Sequence, residues 1–113
     1  MRGISEFQII GRVGQIKEVG NTLRVTLAAE YGRTDDKGDF QKNTFWNEVT
    51  IFNEKRANWI RENVSPGDLA HARGTIRQTE YEKNGQTIYG VTLAVEEFER
   101  LVQQARLKQE SDA

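Results

Sequence analysis

The stretch TFWNEVTIF, residues 44–52, decides the reading of this chain. Side chains of a strand alternate between its two faces, so Phe45, Asn47, Val49 and Ile51 share one side and Trp46, Glu48, Thr50 and Phe52 the other. Val49 and Ile51 mark the core side. Trp46 and Phe52 are thereby placed on a face that also carries Glu48 and Thr50. Two large rings on a polar face have two explanations: a second layer or subunit covers them, or flat ligands such as nucleic-acid bases stack on them. The strand alone leaves both open.

The rest of the chain reads outward from this strand. Upstream, FQIIGRV forms a first strand within residues 5–13, with Gly11 and Gly14 marking a bulge or bend. Gly20-Asn21 is a turn signal leading into a second strand over Leu23–Ala29, where Leu23, Val25 and Leu27 face inward and Arg24 and Thr26 outward. Tyr31 follows its end. GRTDDKGDFQKN, residues 32–43, is polar and aperiodic and reads as a long loop. Downstream, Asn53 caps a short helix in which Ala57, Ile60 and Val64 recur at helical spacing, closed by Ser65-Pro66-Gly67-Asp68. Leu69–Tyr81 is a long strand bent at Gly74, with Arg73, Thr75, Arg77, Thr79 and Tyr81 along one side. Asn84-Gly85 predicts a tight hairpin into a fifth strand over Thr87–Val95. From Glu96 the spacing of Phe98, Leu101, Val102 and Ala105 predicts an amphipathic helix to about Lys108, followed by a fraying tail. The expectation is an all-β domain over residues 1–95 with the element order of a five-stranded OB-fold barrel, a short helix between strands 3 and 4, and a separate C-terminal helix and tail over 96–113.

Composition narrows the function. A chain of 113 residues supports one domain with a modest core. It has no cysteine, which removes disulfides and thiolate metal sites; with no signal-peptide pattern and no membrane-length apolar run, a cytoplasmic protein is expected. The formal charge is −1, so nucleic-acid binding has to rest on local arrangement. His71 is the one histidine and reads as structural or solvated, and no nucleophile-elbow or phosphate-loop pattern is present. Asp35, Asp36 and Asp39 do not follow the ligand spacing of a calcium loop. An enzyme, a metal site or a bound cofactor is therefore not expected. Binding is better supported: Tyr31, Trp46, Phe52 and Tyr81 lie on outward faces or strand ends among Arg24, Arg33, Arg73, Arg77 and Lys83. A single-strand binder needs that mixture, rings for bases and cations for phosphates.

FQIIGRVGQ, LAAEYGR, TFWNEVTIF, SPGD, ARGTIRQTEY and NGQTIYGVTLAV together resemble the bacterial single-stranded DNA-binding protein family from Ile4 to about Val95. The resemblance implies an OB-fold, assembly into a dimer or tetramer, and sequence-independent binding of single-stranded DNA in replication, recombination and repair. Its stacking aromatics fall on Tyr31, Trp46, Phe52 and Tyr81. Members commonly end a flexible tail in an acidic peptide that recruits replication and repair enzymes; this chain ends at Ala113 without that peptide, a shortened form. Two other readings remain at this stage. One is a primosomal replication-type OB-fold protein; the other is a protein-interaction module whose aromatic face is a subunit interface.

Overall fold

A computed structural model describes residues 2–104. The strands are β1 (Glu6–Val19), β2 (Thr22–Thr34), β3 (Phe40–Ile51), β4 (Leu69–Lys83) and β5 (Gln86–Val102), with helix α1 (Glu54–Asn63) between β3 and β4. They close into a barrel in the order β1-β2-β3-β5-β4. β1 serves both sides of the closure: Glu6–Arg12 pairs with β4, and from Arg12 to Val19 it pairs with β2, with a register shift between Val13 and Ile16. The expected bulge at Gly14 is thus present, and the strand continues beyond Val13 to the Gly20-Asn21 turn. The seam between β3 and β5 is short and parallel, Val49 opposite Leu93 and Thr50 opposite Ala94.

The inward residues read from alternation, Leu23, Val25, Leu27, Val49 and Ile51, are fully buried. Helix α1 plugs this core with Ala57 and Ile60, and Val64 is buried just past its end. Its cap is the expected one: Asn53 Oδ1 accepts the Arg56 backbone N–H at 2.9 Å. After the helix, Asp68 is buried and holds the connection. Its carboxylate accepts the backbone N–H of Ser65 at 2.9 Å and of Gln104 at 2.8 Å, while its carbonyl accepts from Val13 at 2.8 Å.

Both long hairpins run past the barrel as arms. β2 and β3 stay paired from Leu23 opposite Ile51 out to Thr34 opposite Phe40. The loop expected over residues 32–43 is therefore mostly strand, and the turn is confined to 35–39. There Asp35 Oδ1 accepts from the backbone N–H of Lys37 and Asp39, each at 2.9 Å. These bonds, the one from Asp39 foremost, hold the Asp35 carboxyl below its usual range. The stretch looked aperiodic because both faces of the arm meet solvent, so no burial alternation is imposed on it. The β4–β5 arm turns at Asn84 and Gly85, both in the left-handed region (φ 53° and 78°) that the Asn-Gly pair suits.

The predicted helix from Glu96 is corrected over its first half: Glu96–Val102 continues β5. The register against β4 shifts between Arg73 and Gly74 and again between Leu69 and Ala70, leaving Glu96 and then Leu101 unpaired. A one-residue bulge turns the two-residue step of a strand into three, so buried Val95 is followed by buried Phe98. That interval imitates a helical period. Of the remainder of the predicted helix, 105–108 lie outside the described residues. Among the described residues no helix is long and apolar enough to cross a membrane.

Candidate nucleic-acid interface

Trp46 lies opposite Ala28, Glu48 opposite Thr26 and Thr50 opposite Arg24, and together these form the outer face of the β2–β3 sheet. The indole rests on the β1 bulge. A Cβ added to Gly14 would come within 2.5 Å of the Trp46 ring and 2.7 Å of Thr26 Oγ1, so glycine there leaves the space the ring occupies. The bulge is pinned by the Gln15 backbone N–H, which donates to Thr26 Oγ1 at 2.7 Å. Phe52 continues the same side beyond the end of β3. Across the β3–β5 seam it meets Arg77 of β4, whose guanidinium carbon lies 5.9 Å from the ring centre. Tyr81 follows four residues along β4 on the side of Arg77. Trp46, Phe52, Arg77 and Tyr81 therefore form one strip over the outside of the barrel and onto the β4–β5 arm. All three rings are more than half exposed.

Tyr31 is placed differently. It packs edge-on against Phe45, centroids 5.6 Å apart at 69°, on the opposite side of the β2–β3 arm from Trp46. These rings line a groove of about 920 Å3 that opens where β1 leaves β2 to join β4. Gln8, Ile9 and Ile10 form one wall, and 29–31 with 44–47 form the other. Phe45 corrects a sequence expectation: it shares a side with Val49 and Ile51 yet is more than half exposed, because the arm has left the barrel by that point. Asn43 and Asn47, polar residues on the same side of the strand, were the available sign that this face leaves the core.

The cations divide into two groups. Arg73 is held by carboxylates, 2.8 Å from Glu97 and 3.3 Å from Glu6. The hydrogen bond to Glu97 raises the Arg73 pKa, and the same bond lowers that of Glu97. Arg24 is 3.2 Å from Glu48, which also takes Lys17 at 3.3 Å. Among the described residues, Arg33, Arg77 and Lys83 form no ion pair; the Arg77 Nε donates to Thr75 Oγ1 at 3.2 Å. Lys17 and Ile10 were not singled out from the sequence, because their relevance comes from pairings across strands. His71 is 3.1 Å from Gln8 Oε1 on the β1–β4 surface.

A closed five-stranded barrel with a helix between its third and fourth strands, carrying exposed rings and cations along one side, defines an OB-fold of the nucleic-acid-binding type. More particularly, the chain belongs to the single-strand binding protein family, whose model matches residues 4–101. Solved structures agree on the fold. A Plasmodium falciparum single-strand binding protein in complex with single-stranded DNA superposes with TM-score 0.72 at 16% identity, covering 89% of this chain and 97% of that one. The mitochondrial single-stranded DNA-binding protein Rim1 of Saccharomyces cerevisiae gives 0.69 at 24%, covering 89% and 98%. A small single-stranded DNA-binding protein from Streptomyces coelicolor gives 0.65 at 17%, covering 93% and 99%. A search of curated proteins found no significant match.

Proposed function

We propose that this protein binds single-stranded DNA without sequence preference and protects it in replication, recombination and repair. Bases stack on Trp46, Phe52, Tyr31 and Tyr81 while Arg24, Arg33, Arg73, Arg77 and Lys83 follow the phosphates. The observation that carries the reading is the outer strip, where Trp46 sits on Gly14 and Arg77 caps Phe52. Stacking on such rings is tolerant of sequence because every base has a π-face. Arg77, Arg33 and Lys83 are the cations most readily available to phosphate, and Arg73, held by Glu6 and Glu97, contributes less. A homo-oligomer, dimer or tetramer, is the assembly that suits the chain, since Ile76, Tyr89 and Val91 leave an apolar row exposed on the inner side of the β4–β5 arm.

The test is tryptophan fluorescence during titration with a long oligothymidine at several salt concentrations. Binding that quenches Trp46 and weakens with salt is the expected outcome. Undisturbed fluorescence together with no binding at low salt in an independent assay overturns the reading and favours a protein-interaction module.

A further inference from the structure

The outer face of the β1–β3 sheet carries a charge arrangement that stacking does not require. Glu48 is two residues from Trp46 on the same side of β3, and its carboxylate takes both nearby cations. One oxygen accepts from Arg24 Nη1 at 3.2 Å, and the other lies 3.3 Å from Lys17 Nζ. Arg24 contributes a single nitrogen, and its Nε is buried without a hydrogen-bond partner. The pair is thus one-pronged and lacks the fork geometry that makes arginine–carboxylate pairs strong. Arg24, Glu48 and Trp46 share a cavity of about 290 Å3 with Thr50 and Thr92. To these cations a carboxylate and a phosphodiester look alike: each offers one negative charge spread over two oxygens.

We propose that Glu48 is an internal stand-in for a backbone phosphate, holding Lys17 and Arg24 in the free protein and yielding them to the phosphate beside the base stacked on Trp46. This rests on the single-strand reading above. Two consequences follow from charge alone. Binding has to open two ion pairs before it gains two phosphate contacts, and the displaced carboxylate then stays close to the incoming phosphate. Glu48 therefore restrains both affinity and salt dependence, and it lets the strand be released more readily than the cation content of the face would allow.

The test compares the full chain, Glu48→Gln, Lys17→Gln and the double variant in oligothymidine titrations across a salt series, with folding checked by circular dichroism. Each cation available to a single-strand phosphate contributes about 0.7 to the slope of log affinity against log salt, and the single charge of Glu48 offsets one of the two, so Glu48→Gln is expected to steepen the slope by about 0.7. With the affinities converging near 1 M salt, that slope corresponds to roughly threefold tighter binding at 0.2 M. When Lys17 is also replaced, about half of the gain in slope is expected to disappear. An unchanged slope or weaker binding in folded Glu48→Gln overturns the proposal. So does a gain that is the same with or without Lys17, which would make Glu48 only a repelling charge. Absence of binding by every protein, the unsubstituted chain included, overturns the single-strand reading itself and this inference with it.

Discussion

Trp46 shows how a residue's role depends on what lies beneath it. Its ring is exposed, yet it is positioned by the vacancy at Gly14 and by the bulge that brings Gln15 to Thr26. Replacing Trp46 by Ala removes one stacking platform and is expected to weaken oligothymidine binding by roughly 1–3 kcal/mol with no loss of thermal stability, as read by titration and by melting. The arginines separate in the same way. Arg77 has no carboxylate partner among the described residues, whereas Arg73 is held by Glu6 and Glu97. Arg77→Gln should therefore flatten the salt slope by about 0.7, and Arg73→Gln should flatten it less. Equal changes in the two variants would show that Arg73 leaves its carboxylates on binding.

Among the elements, the α1–β4 connection depends on a single side chain. Asp68 is buried, and its carboxylate satisfies two backbone donors from different parts of the chain. Asp68→Ala leaves those donors without a partner, and a loss of roughly 1–3 kcal/mol in urea unfolding is expected. A second effect appears on acidification. The hydrogen bond from Arg61 of α1 lowers the pKa of Glu18 on β1 below its ordinary 4.5, and the bond from Arg73 of β4 does the same for Glu97 on β5. A carboxyl whose pKa is depressed in the folded state adds stability above its unfolded value, and that contribution is lost as pH falls through the folded value. The melting temperature should accordingly drop as pH is taken below about 4.5, and the drop should be shallower in Glu18→Gln. Both carboxylates are at the surface, so the difference will be small.

At the scale of the whole molecule, the barrel is a compact base from which two solvated arms extend. The β2–β3 arm presents Tyr31 and Phe45 on one side and Trp46 on the other, while the β4–β5 arm presents Tyr81 outward and Ile76, Tyr89 and Val91 inward. In the proposed homo-oligomer, another copy of the chain would cover this row. Val91→Asp is then expected to lower the mass of the assembly in sedimentation while leaving the fold intact. An unchanged mass would remove that side of the arm from the interface.

Local alternation and turn chemistry were enough to determine the five strands, the helix capped by Asn53, both tight turns and the outward placement of Trp46, Phe52 and Tyr81, because each rests on neighbours within a few residues in the chain. Three features were decided only by tertiary structure. Where the arms leave the barrel depends on which strands still have partners on both sides, which is why Phe45 shares a parity with Val49 yet meets solvent. The run from Glu96 to Val102 is strand because β4 supplies the pairing and absorbs two bulges, so a spacing of three between Val95 and Phe98 arises without a helix. The ion pairs that engage Arg24 and Arg73 join residues from different strands, and no reading along a single strand reveals which cation faces a carboxylate.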